Sequence, residues 1–129
     1  MGINKKTFRS GPFKNFIAQG VQVGNILYMS GQVGMDADGK LAEDITEQAT
    51  LAYKNIEDVL AEFGATMDNI VDETVFITDM KELMSNIGGV YGARAKAYGG
   101  LPEVSQTVVQ VVSLVQPELK IEIKCIAHL

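Results

Sequence analysis

A chain of 129 residues, 47% of them hydrophobic and with a formal net charge of -5, has the size and balance of one soluble globular domain spanning residues 1–129. A domain of this length buries roughly two-thirds of its unfolded surface, so it is expected to have a core but little room for a deep pocket of its own. The acidic balance counts against nucleic acid as a partner, because phosphate binding needs clustered Lys and Arg. The one basic run, Lys5, Lys6, Arg9 and Lys14, reads as a solvated N-terminal arm. A single cysteine, Cys125, allows no internal disulfide, and no spaced Cys/His set points to a metal. A reducing, cytoplasmic setting without a bound metal is expected. No apolar stretch approaches the roughly 20 residues of a membrane span, and no signal-peptide core opens the chain.

In chain order, Phe16, Ile17 and Val21 lead into Gly24-Asn25, a pair suited to a tight turn, and Ile26 to Met29 reads as the second arm of a hairpin. Ser30-Gly31-Gln32 and the turn-rich Asp36-Ala37-Asp38-Gly39 follow. Asp44 and Glu47 have the spacing of a capping box, ahead of a helical stripe of Ala49, Ala52, Ile56, Val59, Leu60 and Phe63 that Gly64 closes. Val71 to Ile77 is a β-branched run of strand length. Asp79 and Glu82 start a second helix, with a stripe of Leu83, Ile87, Val90, Tyr91 and Tyr98. Gly88 and Gly89 interrupt that stripe, each costing about 1 kcal/mol relative to alanine, so either the helix weakens there or something packs against its backbone. Two more strands, Thr107 to Leu114 and Lys120 to Ala127, flank a turn at Gln116-Pro117-Glu118. The order strand, strand, helix, strand, helix, strand, strand describes an α+β sandwich, a mixed sheet with both helices on one face.

Few residues carry obvious chemistry. His128, the sole histidine, has no neighbouring nucleophile or acid and reads as a surface residue of the tail. Asp36, Asp38 and Gly39 resemble part of a calcium loop but lack its remaining ligands, which leaves an ordinary turn. Cys125 occupies an apolar strand position and reads as a small buried hydrophobe. Glu122 stands out, because on a strand whose alternate residues are apolar it presents a carboxylate at a fixed position. A partly desolvated glutamate can act as a general base toward water. The competing reading is a solvated sheet-face glutamate paired with lysine.

The ordered segments Gln19-Gly20-Val21, Tyr28-Met29-Ser30-Gly31-Gln32, Gln48 through Gly64-Ala65, Thr74 to Met80, Val90-Tyr91 and Ile121 to Ala127 together resemble the Rid/YjgF family of reactive-intermediate deaminases. The resemblance runs from Phe16 to Ala127. It implies a chorismate-mutase-like fold, a homotrimer, and small-molecule clefts between subunits. It also implies cofactor-free hydrolysis of 2-imino acids to 2-keto acids and ammonia. By position, Glu122 corresponds to the family's water-positioning glutamate, Ser30 and Gly31 to its cleft-lining pair, and Val108 to a backbone contact with substrate.

The family's carboxylate-clamping arginine has no counterpart: one alignment puts Gln106 there and another Thr107, neither cationic. Gly88 stands where archetypal members have a helix asparagine, and Ile17 where they have an aromatic. These departures imply a ligand other than the archetypal 2-imino acids, with Gln106 as a neutral hydrogen-bond donor and Arg94 or Arg9 as candidate substitutes for the missing cation. On this reading Gln106→Arg is expected to raise archetypal activity. A non-catalytic, metabolite-binding trimer and a ribonuclease-like activity are the alternatives, and the acidic charge counts against the last.

Overall fold

The computed structural model describes residues 2–129. Its strands are β1 (Lys6–Phe8), β2 (Gly20–Val23), β3 (Ile26–Met29), β4 (Gln32–Val33), β5 (Ile70–Ile77), β6 (Ser105–Gln110) and β7 (Ile121–His128). The helices are α1 (Ile45–Glu62), α2 (Met80–Ser85) and α3 (Ile87–Tyr98). One mixed sheet runs β1-β2-β3-β7-β5-β6, with β4 also paired to β7. Only β5 and β6 are parallel, joined by a crossover through α2 and α3, as a parallel pair requires. This is the α+β sandwich expected from the element order, with the main helices α1 and α3 stacked together on one face of the sheet.

Period-two alternation sorts the central strands cleanly. Glu73, Val75 and Ile77 of β5, with Ile121, Ile123, Cys125 and Ala127 of β7, face the helices and are buried. They meet the buried stripe of α1, formed by Ala49, Ala52, Tyr53, Ile56, Val59 and Leu60. Asp44 caps that helix by accepting from the Glu47 N–H at 2.8 Å. The buried amide of Gln48 then ties α1 to the approach to β7, donating to the carbonyls of Ala42 and Glu118 and accepting from the Lys120 N–H.

The structure departs from the sequence expectations at four places. The basic arm is not free: Lys6–Phe8 pairs antiparallel with β2 as the sheet's outer strand, and a lysine at a sheet edge is a common way of discouraging further pairing. Phe16 and Ile17 lie in a turn before β2 rather than in the strand. The helix expected from Asp79 is two helices, broken at Asn86. Beyond that break, a Cβ on Gly89 would sit 2.6 Å from Thr46 Oγ1, so α1 packs against bare backbone there. Finally, β6 ends at Gln110, and residues 111–119 run irregularly into β7.

Candidate functional site

β3 and β4 lie end to end along the same edge of β7. Tyr28 pairs with Ile126 and Gln32 with Ile123, while Ser30 and Gly31 step out of the ladder between them. Side-chain hydrogen bonds pin this step. Ser30 Oγ donates to the Ala18 carbonyl at 2.7 Å, and Gln32 Nε2 donates to Gln19 Oε1 at 2.7 Å and to the Ser30 carbonyl at 3.2 Å. Just beyond, Asn55 of α1 donates to the carbonyls of Val33 and Met35. A bend held from both sides in this way is a rigid floor for a site.

Above that floor opens a cleft of about 800 Å³, within the range of small-molecule sites. A single chain therefore encloses more space than its length suggested, because the turn carrying Phe13, Phe16 and Ile17 stands away from β4 and α1 and forms a third wall. Met35, Phe76 and Val115 add to the apolar lining, and Ser30, Gly31, Glu122 and Lys124 supply polar ground.

The Glu122 carboxylate lies directly over Gly31, where a Cβ would be 2.2 Å from its Oε2. Glycine is required for that approach. Glu122 is half-buried and, among the described residues, makes no ion pair within 4 Å. Burial raises its pKa above the ordinary carboxylate value, and the Lys124 charge partly offsets the rise. A carboxylate shifted this way, with its oxygens uncommitted, is a stronger base toward water than an ordinary carboxylate.

Of the residues singled out from sequence, Ile17, Ser30, Gly31 and Glu122 come together in this cleft. Thr107 lies on the same face of the sheet but further along, in register with Thr74 and Lys124. Gly88 is exposed on α3 and does not line the cleft. The Val108 side chain packs against the core on the helix side. Arg9 donates to the Lys14 carbonyl. Gln106 and Arg94 point away from Glu122, into the layer between sheet and helices, so the structure does not bring either of them to the cleft. The alternation of β6 puts Gln106 beneath α3, where both ends of its amide are used: Nε2 donates to Glu73 Oε1 at 3.0 Å, and Oε1 accepts from Tyr91 Oη at 2.7 Å.

Sequence reading missed the centre of that layer, Glu73, which is 0% exposed. Besides Gln106, its carboxylate accepts from Arg94 Nε at 3.1 Å, from the Tyr53 hydroxyl at 3.2 Å and from the Tyr98 hydroxyl. Burial foremost pushes both phenols up from their ordinary pKa, and the Glu73 carboxylate pushes them further, so they remain donors. Burial lowers the pKa of Arg94, but the Glu73 charge and hydrogen bond together with the neighbouring Tyr53 and Tyr98 outweigh it and hold the guanidinium above its ordinary value. Cys125 is buried beside this group, its thiol pushed well up by burial and then by Glu73. The available signal was a charged residue at the core-facing parity of Val75 and Ile77.

A twisted mixed sheet with paired helices on one face, and a cleft built around a strand carboxylate and a Ser-Gly step, defines the class of protein. The family described as Endoribonuclease L-PSP matches residues 9–129. The mouse 2-iminobutanoate/2-iminopropanoate deaminase is 34% identical over 121 residues, 91% of this chain and 81% of that protein. A RutC family protein of Aquifex aeolicus is 40% identical over 73 residues, 56% of this chain and 55% of that protein. The crystal structure of the Escherichia coli YjgF gene product superposes with a TM-score of 0.83 at 26% identity, covering 95% of this chain and 98% of that one. The chain belongs to the Rid/YjgF family.

Proposed function

We propose that this protein hydrolyses an imine or enamine other than the archetypal 2-imino acids, without a cofactor, in a cleft that neighbouring subunits of a homotrimer complete. The observation that carries this reading is the half-buried, uncommitted Glu122 carboxylate over Gly31 in an apolar-walled cleft. Glu122 takes a proton from water as the water oxygen bonds to the imine carbon. Glu122 returns that proton to the nitrogen to give the carbinolamine, whose hydroxyl proton then passes by way of Glu122 to the same nitrogen as the C–N bond breaks and the carbonyl forms, so that ammonia leaves with the carbonyl product. An enamine enters the same path after protonation at carbon. The similarity to the mouse deaminase supports the reaction class.

Specificity turns on which side of the sheet each residue of β6 faces. On β6 the residues facing the same way as Glu122 are Ser105, Thr107 and Val109, none of them cationic. A charge-assisted clamp is roughly twice as strong as a neutral hydrogen bond, so 2-imino acids lose their main handle. A test is to generate 2-iminopropanoate and a panel of bulkier imines with amino-acid and amine oxidases, and to follow ammonia and carbonyl release. Little acceleration is expected with 2-iminopropanoate and clear acceleration with a bulkier imine, abolished in Glu122→Gln. Turnover undiminished in that variant would remove Glu122 from the mechanism.

The same apolar walls favour a second reading, a trimer that binds a metabolite without turning it over. Retention of a small molecule with no hydrolysis across the panel would select it. An endoribonuclease reading rests on the description of the family, and the net charge of -5 counts against it.

A further inference from the structure

The cleft face of the sheet is organised in rows across strands. One row holds Val109, Phe76 and Glu122; the next, two residues along each strand, holds Thr107, Thr74 and Lys124. The second row places two threonines and a lysine on neighbouring strands, at a backbone spacing of roughly 4.8 Å and on one face of the sheet. Neither threonine hydroxyl is tied up by another group of the described residues. Lys124 is exposed and, among the described residues, forms no ion pair; the pairs found there are Lys54–Asp58, Arg94–Glu73 and Lys120–Glu82. The carboxylate one row further, Asp72, is taken by the Ser105 hydroxyl. Among the charged residues lining the cleft, Lys54 is committed to Asp58, which leaves Lys124 as the cation available to a ligand.

From this arrangement we infer that the Lys124–Thr74–Thr107 row is an anion-binding subsite, and that the ligand is a carboxylate-bearing imine or enamine whose carboxylate is separated from its reacting carbon by several bonds and an apolar body. The inference rests on the proposed function for the role of Glu122 and adds the substrate class. The apolar lining decides the class: Phe76, Phe16 and Met35 line the cleft that Lys124 and Glu122 share and suit an apolar body between the two polar groups. A ligand that spans both rows can put its carboxylate on Lys124, its carbon under the water held by Glu122, and its apolar part against Phe76, Phe16 and Met35. Lys124 here is a specificity residue. It touches the carboxylate and takes no part in the bond changes.

The test uses binding, so that it does not depend on turnover. Titration calorimetry of the full chain with 4-oxo-4-phenylbutanoate, a product-class keto acid of this shape, and with its uncharged carboxamide should show the acid binding at least tenfold more tightly. Lys124→Met should erase that preference and Lys124→Arg should keep it, while Thr74→Val and Thr107→Val should each weaken the acid alone, by a few-fold. Equal affinity of acid and amide, no binding of either, or a preference that survives Lys124→Met would overturn the inference. A native chain that binds the acid but hydrolyses no imine leaves the subsite standing and sinks the hydrolase reading. Turnover of neutral imines with no preference for the acid does the reverse.

Discussion

Two glutamates on adjacent strands, facing opposite sides of one sheet, divide the work of this molecule. Glu73 is fully buried and accepts from four side chains contributed by α1, α3 and β6. Glu122 is half-buried and uncommitted. A buried carboxylate with every lone pair occupied fixes its neighbours and has nothing left for a ligand, whereas a carboxylate short of partners keeps its capacity for water and substrate. On the proposed reading, the same side-chain chemistry serves architecture in one place and reactivity in the other, according to how many donors reach it.

The largest effect should come from emptying the architectural side. Glu73→Leu leaves the Arg94 guanidinium buried without its counter-charge, and breaking a pair of this kind costs about 3–5 kcal/mol. Urea unfolding should show that loss, and the double variant Glu73→Leu with Arg94→Met should recover part of it. On the reactive side, Glu122→Gln should lower turnover by about 10² or more while the urea midpoint stays within about 0.5 kcal/mol of native stability. The two glutamates would then be separable by experiment, one in stability and the other in rate.

Arginine scanning of β6 sharpens the contrast. Gln106→Arg would set a second guanidinium beside Arg94, disrupting the Tyr91 and Glu73 bonds at a cost of about 1–3 kcal/mol, with no gain toward 2-iminopropanoate. Thr107→Arg points the same charge to the Glu122 side and should raise that activity. A gain from position 106 and none from 107 would show that residue 106, and not residue 107, faces the substrate. The smallest effect concerns pH. Because the folded Glu122 carboxyl keeps its proton to higher pH than in the unfolded chain, its contribution to stability is present below the ordinary carboxylate pKa and is lost as pH rises through the raised value. Activity should rise over that same window, and Glu122→Gln should flatten the corresponding part of the stability profile.

The periodic parts of this architecture were legible in the sequence. The α1 stripe and the alternation of β7 announced themselves because each has one strongly apolar face. β1 was not legible, because Lys5, Lys6 and Arg9 carry the composition of a solvated arm, and only pairing with β2 makes a strand of them. β6 was legible as a strand but not in its facing: Ser105-Gln106-Thr107-Val108-Val109-Gln110 has no apolar alternation, so nothing in it says which side Gln106 takes. Glu73 is a different case, since the burial of one charge among β-branched residues depends on donors that lie far away in sequence, at Tyr53, Arg94, Tyr98 and Gln106. The Glu122 and Ser30-Gly31 positions were readable through the family resemblance. The Lys124 row needed the strand register.

The burial of Cys125 has a practical side. Its thiol is enclosed, and its ionisation is pushed well up, so the only cysteine in the chain should ignore maleimides and iodoacetamide in the folded state. A cysteine introduced at Leu101, which is 94% exposed, would then be the single attachment point for a dye or spin label. Assembly and ligand uptake could be followed on the folded protein with its native Cys125 left in place.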